Sequence, residues 1–543
     1  RVLPTGGRWL QAVLAQDGGA VTQRFYLPAD GPSFACDCTA EGAHAATCAR
    51  RPWVCFDLRT SAKPGVIRAE LAVYYKATAV HVQQLTLPAG AGQPGGPQAR
   101  LIGRLTRSWS DLGRLAERSV SIVKVPGSAH VLVNSTDFTA GAFSITAGQA
   151  RTAADNTRLT LKVSHFGTTE DRTRYAQDHS KDKSEFLTDL LRLAEDGAAL
   201  YGALFRFWNP DIRQGKTLPH LLRHEAEARG RAPLLQVVDG RPGEHGQLWS
   251  TVYDIPIPKT RNIKDYYLCP SLSEFGPGAP DDCPMPAFCP QGQEHLDQGN
   301  VLCPFGFWGL SCIIEQAPTL QGNAKKVVLD EDRDLSVVFA PDALLDGHFT
   351  SRHRRRLEQR LPERCVTQPL IRTKDELAQA LAHDDMDVVY LYCHAGYERR
   401  SAHGVLETFL RLGDYEVRPD DVTTWASTTR VWPPAHWSSR HPLVILNGCH
   451  TAEREYGALN GFVPAFTDWA SASGVVGTEA SLHEDTAAWA MELMLAALAR
   501  GSSVGGAIRE VRWAMLRRGN VMGFAYTPYC LAGLTLRPSH EGI

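Results

Sequence analysis

Apolar and polar positions alternate with a period of two over the first third of the chain, and the pattern then lengthens. From Ala69 to Leu87, from Val120 to Val133 and from Thr157 to Val163, β-branched and aromatic residues alternate with polar ones between glycine, proline and asparagine. Half-buried strands need that pattern, so residues 1–165 are expected to form a β-rich accessory domain of antiparallel strands. Ala91 to Pro97 has the Gly/Pro composition of a flexible turn, and the polar stretch Thr168–Lys183 reads as a linker. After it, Phe186, Leu187, Leu190, Leu191, Leu193 and Leu200 fall at helical spacing behind Ser184, which predicts a helix over Ser184 to Phe207 with Ser184 as its N-cap. It opens a middle α/β region, residues 166–325. A last region, 326–543, starts with the strand-like Leu335–Ala340 and continues with a helical pattern over Lys374–Leu381. Apolar runs of buried-strand length follow at Val388–Tyr392, Leu443–Leu446 and around Val475. Strands alternating with helices predict a parallel sheet covered by helices on both faces.

Two of those runs end in reactive side chains. Val388 to Tyr392 leads into Cys393-His394-Ala395-Gly396, and Leu443 to Leu446 leads into Asn447-Gly448-Cys449-His450-Thr451, with Cys449 55 positions after His394. Functional residues gather at the carboxyl ends of parallel strands, so a histidine leaving one strand and a cysteine leaving another fit a cysteine–histidine dyad. An imidazole favours the thiolate that a thiol must become to attack, and it can then protonate the leaving amine. Gly448 permits a tight turn before Cys449. Gly396 lets backbone approach a substrate carbonyl, so the N–H groups of Gly396 and Cys449 are the expected oxyanion donors. Taken singly, either segment reads equally as a buried cysteine or a hydrogen-bonded core histidine.

His394-Ala395-Gly396 and Leu446-Asn447-Gly448-Cys449-His450-Thr451 resemble the two catalytic motifs of CHAT proteases, the bacterial branch of the caspase–separase group. Ser473 to Glu479 resembles the family's next strand, Asp485 to Arg500 its following helix, and Gly501 to Ala507 the opening of the helix after that. Phe305-Gly306-Phe307-Trp308-Gly309 and Trp249 to Asp254 resemble parts of the non-catalytic half, so the likeness covers roughly 180–540. The histidine motif departs from the family pattern, which often carries a second histidine where this chain has Tyr390-Leu391-Tyr392-Cys393. The family's helical repeats are absent, since no period near 34 residues occurs. The resemblance implies a caspase-like α/β fold: a pseudo-caspase half over 166–325, a catalytic half over 326–543, and the amino-terminal domain used for recognition or regulation. It also implies an endopeptidase that stays latent until a partner protein or ligand rearranges loops. Its setting would be bacterial defence or programmed cell death, with a protein substrate such as a gasdermin-like pore former. The segments Glu398–Gly404 and Trp432–His441 are the candidate switch. A catalytically silent caspase-like scaffold or ligand-sensing binding protein is the alternative.

Other candidates are weaker. His450 leaves the backbone in another direction from its neighbour Cys449, His403 is a fallback base, and Cys393 should face the core. Cys365 and Cys530 carry no motif, and no third member of a triad is evident. A basic residue before the cut bond would suit Glu479 or Asp485 if either faced the substrate pocket, although Asp485 equally suits the cap of the following helix.

The 13 cysteines sharpen the picture. An odd total in a chain of 543 residues argues for a reducing, cytoplasmic setting over a disulfide scaffold. Four of them repeat one dipeptide, at Cys269-Pro270, Cys283-Pro284, Cys289-Pro290 and Cys303-Pro304, with 13, 5 and 13 residues between. Proline after a thiolate fixes the turn and leaves the following N–H groups free to bond sulfur, so a structural zinc site is one reading. Disulfides or unligated thiols are the others. A second group, Cys36, Cys38, Cys48 and Cys55 with His44, is less regular. The chemistry itself calls for no cofactor. A formal charge of −2 points to neither nucleic acid nor membrane, and no apolar run reaches the length of a membrane span. The basic run Arg352 to Arg356 reads as a solvated helix face. The chain begins at Arg1, which leaves open what precedes it, a targeting signal included.

Overall fold

The computed structural model describes residues 7–16, 19–28, 31–36, 49–59, 65–89, 96–105, 115–125, 127–128, 130–135, 141–145, 147–167, 174–175, 178–205, 218–239, 246–258, 262–272, 286–292, 298–317, 335–342, 347–360, 365–367, 371, 373–383, 386–399, 406–413, 415–428, 431–433, 437, 440–448 and 461–536. Three main sheets succeed one another along the chain.

The first is antiparallel. β1 (Arg8–Gln16), β2 (Gly19–Leu27), β3 (Gly65–Tyr75), β4 (Thr78–Ala89) and β5 (Gln98–Arg104) run in the order β2-β1-β3-β4-β5. The alternating run from Ala69 to Leu87 is the β3–β4 hairpin, with Lys76 in the turn at φ 52°.

The second sheet begins earlier than the alternation suggests. β6 (Val120–Lys124), β7 (His130–Ser135) and β8 (Gly141–Ser144) pair antiparallel with one another. β6 also pairs in parallel with β9 (Leu234–Val238), which is flanked by β12 (Ile313–Glu315). Residues from 120 onward therefore belong with the middle region, not with the first sheet. Thr157–Val163 is not a strand. It lies in α1 (Ala147–Phe166), whose buried residues Ala150, Ala153, Ala154, Thr157, Leu161, Ser164 and His165 recur at three- and four-residue spacing. Seven residues are too few to separate that stripe from alternation. α2 (Lys183–Phe205) buries Phe186, Leu190, Leu191, Leu193 and Leu200 as expected. Its start is held by Asp182, whose carboxylate accepts the Ser184 N–H at 2.8 Å, so Asp182 takes the place assigned to Ser184. Where it is described, the stretch before α2 is not solvated throughout: Lys181 is buried against Asp189 and donates to the Ser164 carbonyl at 2.6 Å. α3 (Leu218–Arg229) precedes β9. The short parallel pair β10 (Tyr267–Leu268) and β11 (Val301–Leu302) lies between β9 and β12.

The third sheet has the order β14-β13-β15-β19-β20-β21 and is parallel except for its last strand. Its elements are β13 (Leu335–Pro341), α4 (Gly347–Arg360), β14 (Cys365–Thr367), α5 (Lys374–Leu381), β15 (Val388–Tyr392), α6 (Pro419–Ser427), β19 (Leu443–Asn447), β20 (Gly474–Thr478), α7 (Glu484–Ala499), α8 (Val504–Arg517) and β21 (Tyr526–Cys530). A three-stranded meander, β16 (His394–Arg399), β17 (Leu406–Leu412) and β18 (Tyr415–Val417), stands between β15 and α6. β15, β19 and β20 are buried at every position, as their unbroken apolar runs require. α5 begins as predicted, with Thr373 and Glu376 forming a reciprocal cap at 3.1 Å in both directions.

One apolar core joins α2 and the loops of the middle region to the third sheet and its helices: Phe186, Leu193, Tyr253 and Phe307 share it with Tyr390, Ile445, Met494 and Trp513. Among the described residues no helix is long and apolar enough to cross a membrane.

Candidate active site

β13, β15 and β19 lie side by side, and their carboxyl ends share one edge. Tyr392, the last residue of β15, pairs with Pro341 at the end of β13 and with Asn447 at the end of β19. The Cys393 N–H continues the ladder by donating to the Asn447 carbonyl at 3.2 Å. His394 is two residues beyond Tyr392 in the chain, and Cys449 is two residues beyond Asn447. Cys449 lies outside the described residues, as do His403, His450 and the side chain of Cys365. The described chain thus brings His394 and the end of β19, through Gly448, to one edge. Cys393 packs in the core beneath it, and Cys530 is buried in β21.

The His394 side chain is 57% exposed, with Nε2 3.9 Å from Oδ2 of Asp342. Asp342 follows β13 directly and is buried. Its N–H donates to the Tyr392 carbonyl at 2.6 Å, and its Oδ1 accepts the Gly413 N–H at 2.5 Å. A fixed, buried carboxylate thus lies beside the exposed imidazole. This is the acidic neighbour the sequence reading missed. Its signal was present, an aspartate at the end of the strand next to the histidine's, but no motif marks it.

The floor is a chain of buried polar groups. Asn447 Nδ2 donates to the Tyr390 hydroxyl and to the Ala487 carbonyl, both at 2.9 Å, and its Oδ1 accepts from the Tyr526 hydroxyl at 2.9 Å. The Tyr390 hydroxyl also meets His353 Nε2 at 3.0 Å, and His353 Nδ1 meets Glu492 at 3.0 Å. One side chain therefore fixes β19 to β15, β21 and α7. The rest of the basic run stays on the outer face of α4, with Arg355 and Arg356 exposed.

Both glycines of the motifs have packing reasons. A Cβ at Gly448 would lie 2.2 Å from the Cys393 carbonyl oxygen, and one at Gly396 would lie 2.8 Å from Phe409 Cζ. Thr478 Oγ1 donates to the Gly448 carbonyl and ties the end of β19 to β20.

The pocket expectation needs correction at Glu479. It is 1% exposed, Arg158 Nη2 lies 2.8 Å from its Oε2, and the Tyr529 hydroxyl lies 2.5 Å from its Oε1. A carboxylate engaged on both oxygens and out of solvent has none to offer a substrate guanidinium, and it serves as a clamp between α1 and β20. Asp485 is half-exposed and pairs with Arg352 at 3.1 Å. It is not the cap: His483 precedes α7 and accepts the Asp485 N–H at 3.4 Å. Of the switch segments, Glu398 pairs with Arg418, while residues 400–405 lie outside the described residues. Trp432 and Trp437 are buried and donate to the Ala378 and Leu381 carbonyls at 2.9 and 3.1 Å, so this segment anchors to α5 rather than standing free.

Away from this edge, Cys269, Cys289 and Cys303 converge in the middle region, while Cys283 lies outside the described residues. In the amino-terminal group Cys36 is buried and Cys55 exposed; Cys38, His44 and Cys48 lie outside the described residues.

Residues 318–536 match the CHAT domain. The chain carries a CHAT domain. It takes in the whole third sheet and its helices, with His394 and Cys449 inside it. A probable protease of Vitiosangium sp. (strain GDMCC 1.1324) is 25% identical over 512 residues, which cover 89% of this chain and 63% of that protein. The chain thus spans less than two thirds of this relative's length. Among solved structures, the Arg-specific cysteine proteinase gingipain R aligns with 39% of this chain and 50% of its own, at 12% identity and a TM-score of 0.28. The Saccharomyces cerevisiae separase–securin complex aligns with 76% of this chain and 30% of its own, at 11% identity and a TM-score of 0.37.

Proposed function

We propose that this chain is a cysteine endopeptidase whose CHAT domain cleaves a partner protein, with Cys449 as nucleophile and His394 as base and acid. The observation that carries the reading is the register of β15 with β19, which pairs Tyr392 with Asn447 two residues before His394 and Cys449 respectively. In the reaction the Cys449 thiolate attacks the scissile carbonyl carbon, and backbone N–H groups of Gly396 and Cys449 take the oxyanion. The C–N bond breaks as the His394 imidazolium gives its proton to the leaving amine. Water, deprotonated by His394, then hydrolyses the thioester and returns the thiol. Asp342, 3.9 Å from Nε2, orients the His394 ring. With Glu479 engaged elsewhere, Asp485 is the remaining acidic candidate for a basic residue before the cut bond, in exchange for Arg352.

The resemblance supplies the setting: a cytoplasmic enzyme of bacterial defence or programmed cell death, latent until a protein or ligand activates it, with a gasdermin-like pore former as the first substrate to try. The test compares new protein N-termini produced in lysate by the wild type and by Cys449→Ala, with candidate activators added. Cuts confined to the wild type support the reading. If none appear, and a thiol-reactive probe labels Cys449 no faster than Cys365, the scaffold reading replaces it.

A further inference from the structure

Three thiols from distant points of the middle region meet in one buried place. The sulfurs of Cys269, Cys289 and Cys303 lie within 4.8 Å of one another, and Cys269 Sγ is 3.8 Å from Cys289 Sγ. Two thiolates on one tetrahedral zinc, with Zn–S bonds of about 2.3 Å, sit about 3.8 Å apart.

All three cysteines arrive on the same turn. The carbonyl of Cys269 accepts the N–H of Leu272 at 2.9 Å, that of Cys289 the N–H of Gly292 at 3.2 Å, and that of Cys303 the N–H of Gly306 at 3.1 Å. In each turn proline follows the cysteine, at Pro270, Pro290 and Pro304, and sets the φ that the second position requires. In two of the turns the third residue also points its N–H at sulfur: the Ser271 amide bonds Cys269 and the Gln291 amide bonds Cys289. The Ser271 hydroxyl donates to Cys269 Sγ as well, at 3.0 Å. Donors trained on sulfur from backbone and side chain are the surroundings of a ligating thiolate, and a core thiol needs none of them.

We propose that Cys269, Cys289 and Cys303 are ligands of a structural zinc ion. Zinc is favoured by an all-sulfur donor set, by complete burial, and by the absence of any need for redox chemistry here. A disulfide joins only two sulfurs and leaves the third without a purpose. The ion also has mechanical work to do. Among the described residues between Cys269 and Cys303 regular structure is slight, and the neighbouring strands β10 and β11 have two residues each. The Cys303 turn carries Phe305, which packs on Trp513 of α8 with ring centroids 5.0 Å apart. Zinc would thus fix the surface that the middle region presents to the CHAT domain.

The test is metal analysis of the full chain purified without chelator. One zinc per chain is expected. Cys269→Ser and Cys303→Ser should lose it, while Cys530→Ser, a buried cysteine outside the cluster, should keep it. Because a serine variant can fail to fold, the wild type is also refolded with cobalt, which should give the sulfur-to-cobalt charge-transfer absorption of a thiolate-rich tetrahedral site. A wild type that takes up neither zinc nor cobalt, or that shows a Cys269–Cys289 disulfide by mass spectrometry without reductant, would overturn the proposal.

Discussion

The exposed His394 imidazole and the buried Asp342 carboxylate differ in what surrounds them, and that difference sets their roles. Asp342 is fixed by the Gly413 N–H and by its own bond to Tyr392, while His394 reaches solvent where a substrate would come. If Asp342 acts by orienting the ring, Asp342→Asn should lower kcat by about 10²-fold with little change in KM, since general acid–base catalysis is worth about 10² to 10⁴. Steady-state kinetics on a cleavable peptide check this, and an unchanged kcat would leave Asp342 as ordinary structure. Gly448 makes a second prediction at this scale. A methyl group 2.2 Å from the Cys393 oxygen cannot be accommodated without moving the end of β19. Gly448→Ala should therefore abolish cleavage while leaving the circular dichroism of the folded chain in place.

At the level of elements, the strand carrying the cysteine motif is held by one side chain. Asn447→Ala would remove one partner each from the Tyr390 and Tyr526 hydroxyls and from the Ala487 carbonyl, all inside the core, with the Tyr390 hydroxyl keeping His353. With each net hydrogen bond worth about 0.5–1.5 kcal/mol, losing three of them should cost about 3 kcal/mol in urea denaturation of this unit. Asn447→Asp should fare no better, since it brings a charge into a site already holding Glu492 and His353. The third sheet was largely legible beforehand, because strands buried on both faces are written as unbroken apolar runs and α5 announces itself by Thr373 and Glu376. The first half was less so. A seven-residue window over Thr157–Val163 does not separate a helical stripe from alternation, and only the pairing of β6 with β9 shows where the second sheet begins. Of the site, His394 was legible from its strand. Asp342 was not, because adjacency between β13 and β15 is a property of the sheet. Glu479 was misread for a similar reason: its partner Arg158 lies 321 positions away.

Across the molecule, α1 of the middle region grips the CHAT domain at two neighbouring places, Arg158 on Glu479 and His165 on His483. At the second, the His483 N–H donates to His165 Nε2 at 2.6 Å, which makes His165 a neutral ring protonated on Nδ1. Burial above all, with His483, Lys181 and His179 adding to it, lowers its pKa to about 3. In the unfolded chain the same ring takes a proton near pH 6.5. Between those values the unfolded state binds a proton that the native state does not, so stability rises with pH through the window, is complete above about 6.5, and is lost as pH falls toward 3. The slope for one such group is about 1.4 kcal/mol per pH unit, which gives about 2 kcal/mol between pH 6.5 and 5. His179, lowered in the same direction by its burial, steepens the wild-type response. His165→Gln keeps a side chain able to accept the His483 N–H but removes the titration, so its urea midpoint should fall less than that of the wild type on going from pH 7 to pH 5. Local opening exposes Nε2 to protonation, so the same acidification favours the form in which the bond to His483 at the start of α7, two residues before Asp485, is open. Amide exchange at His483 should therefore quicken between pH 7 and 5 in the wild type, after correction for the intrinsic rate, and not in His165→Gln. Equal quickening in both would place the acid-labile contact elsewhere in the fold.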